Sequence, residues 1–431
     1  MAKRSATVLL LLVTALVSVT AGGLSEAKSN DVVTLQFFHR WPMEPRFSYF
    51  NEVVAEFERL NPDIRIEMDM VENESYKEKI RVLISSNDMP DVFTSWSDSF
   101  ALNLARSGRV RSLNAILERN PEFAQSFIQS QLEPFTFDGI TYGLPLTIDG
   151  KVLVYNLSMW QEAGIAQEPR TFDELITVLD RLKSAGHETP ILEGLANPWA
   201  ISHFLGTLFQ RYIPADVLAR DYNEATGEFT HPGYRTAIEY FMQLVGYMGP
   251  SATSLTHTEV RNLFIAGRLP MMYMQFAEFG FVHADPSSPA YGFFNFPGIC
   301  GGHGDFSLLT GAPEGLMMSE TSRYPEEAER FVKFLLSQEN AAKFVEQVGA
   351  PVAVVGAVRE ENSYPTLMQA TEMIKSSSGS VPWLDNAMNI RVADAFMRGV
   401  QSVASGDMTI DQVLNSVQAA ARMVRAEASQ K

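Results

Sequence analysis

Four tryptophans, Trp41, Trp96, Trp199 and Trp383, fall at strand ends or beside loop-like stretches, whereas the fifth, Trp160, lies in the helical run Ser158–Ala163. Acids stand close to several of them in the chain. Glu44 follows Trp41, Asp98 follows Trp96 and Asp385 follows Trp383. An aromatic face offers an apolar platform to the C–H face of a sugar ring, while neighbouring Asp, Glu, Asn or Gln groups hydrogen-bond its hydroxyls. A saccharide needs both kinds of contact, so this pairing points to carbohydrate recognition. The competing expectation for any single ring is core packing.

Signatures of catalysis are missing. His187-Glu188 has Ile191 where a zinc-binding helix needs its second histidine. There is no Walker lysine loop and no G-x-S-x-G elbow, and Gly301-Gly302-His303-Gly304 lacks the spacing of a dinucleotide fingerprint. The seven histidines, His39, His187, His203, His231, His257, His283 and His303, form no ligand-spaced pair. Cys300 is the single cysteine, which excludes an intrachain disulfide and a thiolate metal cluster. No metal or cofactor is expected, and the stripe Met271, Met272, Met274 is assigned to packing.

Composition narrows the class further. At 431 residues the chain is long enough for two to four folding units, and 46% hydrophobic with 20% charged residues is the balance of a globular protein. A formal charge of −17 repels phosphate backbones and anionic lipid, so nucleic-acid binding is not expected. Residues 1–21 have the parts of a secretory signal: Lys3 and Arg4, an apolar run from Val8 to Val19, and the small-residue end Val19-Thr20-Ala21. That run is short for a membrane span of about 20 residues, and no cysteine follows it for lipid attachment. A mature protein free in the periplasm is the expectation.

These side chains need elements to hold them. Val33, Leu35 and Phe37 alternate as a strand, Phe50, Val53, Val54, Phe57 and Leu60 recur at helical spacing, and a second strand covers Ile64–Met70 after Asn61-Pro62. A helix over Lys77–Ser86 and a strand over Val92–Trp96 continue the alternation, predicting a parallel sheet wound with helices, whose ligands bind beyond the strands' carboxyl ends. The glycine-rich stretch Asp138–Asn156 suits a crossover between domains. Thr171 with Glu174, Thr256 with Glu259 and Thr409 with Gln412 have capping-box spacing and predict helix starts. Tyr291–Phe296 and Gly315–Ser319 are predicted strands, Pro325–Phe344 helices, and Trp383–Gln430 two amphipathic helices separated at Gly406.

In order and spacing, several segments resemble the extracellular solute-binding proteins of ABC sugar importers, a family that is maltose-binding-protein-like. They are Leu35–Leu60, Pro90-Asp91-Val92, Gly139-Ile140-Thr141-Tyr142-Gly143-Leu144-Pro145, Val152–Asn156 with Ala163-Gly164, and Arg170–Leu175. Phe264, Gly267, Arg268, Met271 and Met272, then Gly315–Ser319 followed by Phe331–Phe344, complete the match. The resemblance implies an α/β fold of the two-lobed, Venus-flytrap kind, each lobe a mostly parallel sheet flanked by helices, with type II-like crossovers. It divides the chain into a signal peptide (1–21), lobe 1 (28–146 plus 291–350) and lobe 2 (147–290 plus 351–431).

The resemblance also implies where ligand is held. Trp41, Glu44, Trp96 and Asp98 fall on the first lobe's cleft edge, Asp149 on a crossover, and Trp199 on the second lobe. Gln275, Phe276 and Phe279 stand where family members often have Gly-x-Trp. Ala393 occupies the position of a stacking tryptophan in the last helix pair, with Trp383 and Asp385 as substitutes in the preceding loop. The expected function is a monomeric periplasmic component that binds a sugar or oligosaccharide between the lobes and delivers it to a membrane permease. Two alternatives are a secreted carbohydrate-active enzyme using Asp98 and Glu278 as a carboxylate pair, and a sugar-sensing receptor subunit. One consequence is directly measurable: the exported chain begins at or near Gly22, and intact-mass analysis showing Met1 retained refutes the signal.

Overall fold

The computed structural model describes residues 32–86 and 88–430; the expected signal peptide lies outside them. In chain order the strands are β1 (Val33–His39), β2 (Ile64–Met70), β3 (Val92–Trp96), the hairpin β4 (Thr136–Phe137) and β5 (Ile140–Thr141), β6 (Gly143–Thr147) and β7 (Lys151–Asn156). They continue as β8 (Met271–Gln275), β9 (Tyr291–Phe294), β10 (Leu309–Thr310), β11 (Glu314–Met318) and β12 (Ser380–Val381).

Lobe 1 is built on a five-stranded sheet of order β2-β1-β3-β11-β6. β1 pairs in parallel with β2 from Val33 opposite Ile64 onward, and with β3. The helix between β1 and β2, Arg46–Leu60, buries Phe50, Val53, Val54 and Phe57, four of the five apolar positions at helical spacing. Asn61 stops it, its backbone and side-chain N–H groups both donating to the Phe57 carbonyl at 2.9 Å. β3 is buried at every position, as expected of a strand covered on both faces. β11 inserts antiparallel to both neighbours, so the sheet is mixed.

The second lobe departs from the mostly parallel expectation. β7 is its centre and runs antiparallel to β8, β9 and β10; only the short β10–β12 pair is parallel. The cause is geometric, because β7 leaves the lobe junction and β8 returns to it, setting Lys151 opposite Gln275 at the cleft edge. Helices Phe172–Ser184, Pro198–Tyr212, Gly233–Met248, Ile390–Ala404 and Ile410–Ala428 cover the sheet. Capping boxes at Thr171, Thr256 and Thr409 start three of the helices, each threonine accepting from the backbone three residues on.

Two boundaries are corrected. The chain does not return to lobe 1 at 291, because Tyr291–Phe294 pairs with β7; the return comes with β11. Nor does lobe 2 resume at 351, because Val352 bridges Thr147 and the Ile128 amide donates to Ala353 O at 2.9 Å. The passage to lobe 2 falls near Tyr364, whose hydroxyl donates to Gly349 O while its ring stacks on His283 at 3.9 Å.

Two crossovers, Ile148–Gly150 and Gly311–Pro313, run side by side. A Cβ on Gly311 would stand 2.1 Å from the Asp149 carbonyl oxygen, so only glycine permits the approach. Crowding at that backbone contact predicts that Gly311→Ala lowers stability by about 1–3 kcal/mol, measured by denaturant unfolding.

Candidate ligand-binding site

A cavity of about 350 Å³ opens where the lobes meet, within the usual range of small-molecule sites. The four tryptophans singled out above line it, one pair from each lobe. Trp41 follows β1 and stacks on Phe50, with ring planes 2° apart. Trp96 ends β3 and carries the Arg40 guanidinium over its ring at 4.6 Å. On the opposite lobe Trp199, in the first turn of helix Pro198–Tyr212, is half-buried near His203 and His257. Trp383 stacks on His203 at 3.9 Å. Trp160 stays outside this cavity, packed on Tyr155.

Asp149, Gln275 and Asp385 also face the cavity. Asp149 accepts from the Gly150 and Ala277 amides at 2.9 and 3.2 Å and from Gln275 Nε2 at 2.6 Å. Burial raises its pKa to about 6 despite these donors. Asp385 accepts from Ser202 Oγ at 2.7 Å and lies 3.5 Å from Lys77 Nζ of the other lobe. With Arg46 Nη2 3.4 Å from Ala277 O, this ion pair joins the lobes across the mouth.

Four expected site residues lie elsewhere. Glu44 is exposed and turns back to accept from Ser48 Oγ at 2.8 Å. Asp98 begins the helix after β3 with a left-handed φ of 57° and pairs with Ser97 Oγ, away from the cavity lining; burial raises its pKa to about 6. Phe276 and Phe279 are fully buried and pack edge-on to each other, Phe276 also filling the space beside Gly150. Asp98 thus stands outside the cavity lining that includes Glu278, against its expected pairing with that residue.

The residues without an expectation are charged. Arg40 pairs with Glu314 and donates to Asn73 Oδ1 at 2.5 Å. His257 sits between Glu193, 2.6 Å from Nδ1, and Glu278, 2.8 Å from Nε2. Arg261, one turn further along the same helix, donates to Glu278 at 2.8 Å, and Lys151 Nζ is 3.3 Å from Glu193. Gly194 makes this possible: a Cβ there would stand 2.1 Å from the Thr256 carbonyl carbon, so its absence lets the Glu193 loop approach the helix start. Six buried or half-buried cations (Arg40, Arg46, Lys77, Lys151, His257, Arg261) thus gather with five buried or half-buried carboxylates (Asp149, Glu193, Glu278, Glu314, Asp385).

Burial alone would lower the His257 pKa, but the Glu193 and Glu278 carboxylates outweigh it and raise it to about 9. Burial likewise opposes ionisation of Glu278, yet His257 and Arg261 hold it well below the ordinary carboxylate range. His257 and Glu278 therefore face each other as a charged pair near neutral pH.

The bacterial extracellular solute-binding protein family model matches residues 41–342. The chain belongs to that family. A putative binding protein of Brucella abortus is 26% identical over 309 residues, 70% of this chain and 71% of its relative. The multiple sugar-binding protein of Streptococcus mutans is 24% identical, covering 88% of this chain and 89% of that protein. Among solved structures, a chitin oligosaccharide binding protein superposes with TM-score 0.83 at 23% identity, covering 92% of this chain and all of that one. The two-lobed architecture is shared with these structures, and no helix among the described residues is long and apolar enough to cross a membrane.

The raised His257 pKa sets a pH dependence. A histidine whose folded pKa exceeds its ordinary 6.5 stabilises the fold fully below that value and loses the contribution as pH rises through about 9. Thermal stability should therefore fall more between pH 7 and pH 10 in the native chain than in His257→Gln, as measured by calorimetric melting.

Proposed function

We propose that this protein is the periplasmic substrate-binding component of an ABC importer, holding a sugar or oligosaccharide between its lobes and delivering it to a membrane permease without chemical change. The observation that carries this reading is the placement of four indoles around one interlobe cavity with Asp149, Gln275, Asp385 and Asn197 among them. Rings supply stacking surfaces, and the amide and carboxylate groups supply directional partners for hydroxyls. The family and the sugar-binding names of relatives such as that of Streptococcus mutans point the same way.

Absence of catalysis fits the charges. A general acid needs a pKa near the working pH, whereas Glu278 is held ionised by two cations, and Asp98 is outside the cavity lining. At the cavity mouth the lobes meet through polar contacts beside the crossovers, so ligand touching both lobes favours the closed arrangement by its differential affinity. A single copy supplies both walls of the cavity, which suits a monomer acting alone until it docks on its permease.

Thermal-shift screening of the mature chain against mono-, di- and trisaccharides identifies ligands, because saturation at 100 times the dissociation constant adds about 2.7 kcal/mol. For a sugar so found, Trp199→Ala should weaken calorimetric affinity at least about ten-fold with little change in melting of the free protein. Small-angle scattering should show a smaller radius of gyration with ligand. Turnover of the sugar, or a lost melting temperature with unchanged affinity in Trp199→Ala, contradicts the proposal.

A further inference from the structure

Arg46 differs from every other cation of the cavity. Arg40, Lys77 and Arg261 each have a carboxylate within 4 Å, and His257 has two. Arg46 has none among the described residues. Its one protein hydrogen bond is the 3.4 Å contact of Nη2 with Ala277 O, and its buried Nε has no partner. A guanidinium has five donors in a rigid planar fork, so nearly all of them are unused. Its guanidinium carbon stands 5.3 Å from the Trp41 ring centroid, at the wall of the cavity.

A half-buried cation whose Nε is fully buried is costly to leave without a partner. The carboxylates that act on Arg46 through space, Asp149 and Glu278, are engaged elsewhere: Asp149 by Gln275 and two backbone amides, Glu278 by His257 and Arg261. Among the described residues, Arg46 is thus the one arginine or lysine of the cavity lining with no carboxylate of its own. We propose that the ligand supplies the missing partner: an acidic sugar whose single carboxylate takes the Arg46 fork. A carboxylate fits better than a phosphate ester. It matches a planar guanidinium with two parallel hydrogen bonds and brings one charge to one unpaired cation, whereas a phosphomonoester brings about −1.5 to −2.

This inference rests on the sugar-binding reading, and matched probes separate their failures. Calorimetry compares glucuronate with glucose, galacturonate with galactose, and digalacturonate with galactobiose, with glucose 6-phosphate as the phosphate arm. The expected result is at least about ten-fold tighter binding of the uronate in a pair that binds, an affinity that falls with added salt. In Arg46→Gln the ratio of acidic to neutral affinity should collapse toward one, with melting of the free protein unchanged or raised because an unpaired buried charge is gone. Arg46→Lys, which keeps the charge and loses the fork, should retain part of the preference. Equal or tighter binding of the neutral sugar, or of the phosphate, overturns the acidic-ligand proposal while leaving sugar binding intact. Lowered melting in Arg46→Gln with an unchanged ratio makes Arg46 structural and overturns it as well. If no sugar of either kind binds, both readings fall.

Discussion

Burying charge at the lobe junction is the constraint around which the other features arrange themselves. Lys151, His257 and Arg261 are withdrawn from most of their water together with Glu193 and Glu278. Each such ion costs several kcal/mol to desolvate unless its partners are within hydrogen-bonding reach. Every element near the cavity therefore has a fixed place: β7 starts at Lys151, β8 ends beside Glu278, and a capping box starts the helix at His257. Gly194 brings the Glu193 loop into contact with that helix start. Trp199 then has its position imposed on it, because Lys151 and His257 form the surface on which its ring rests.

The same network gives the site its chemical character. His257 and Glu278 stabilise each other's charged forms, which gives the site fixed, oriented hydrogen-bonding groups. The aromatic rings add area without directional demand, and the charged groups between them add selectivity. Lobe contacts at the mouth are few and polar, which allows the binding of a solute to decide how far the lobes close.

How far the sequence disclosed all this depends on the kind of residue. The tryptophans were legible because each stands at a strand end, in a loop or at a helix start on an edge of the cleft, and the helix Arg46–Leu60 because its apolar period is unbroken. Phe276 and Phe279 were misjudged because a buried ring and a cleft ring have the same local pattern; only the packing against Gly150 separates them. Glu44 sat in the right loop, but its side chain satisfied Ser48 instead. His257 was treated as one of seven isolated histidines, although the Thr256–Glu259 box already placed it in a first helical turn, with Arg261 four residues on along the same face. Glu193, brought in from a distant loop, left no sequence signal. The strand directions of lobe 2 escaped because β10 and β12 are two residues long and β9 lies more than 130 residues beyond its partner β7.

The position of β11 has a bearing on synthesis. It lies between β3 and β6 in lobe 1, yet it is made only after all of β7 to β10. A nascent chain that has reached Pro313 therefore carries two unpaired strand edges in a sheet lacking its inner strand, and nothing local can close them. Lobe 1 cannot mature ahead of lobe 2, in contrast to domains that fold one after another as they emerge. The pairing of β3 with β11 spans more than 200 residues, and such distant contacts form slowly. Completion of lobe 1 therefore waits on residues made after nearly all of lobe 2's sheet, so the two lobes reach their final form together.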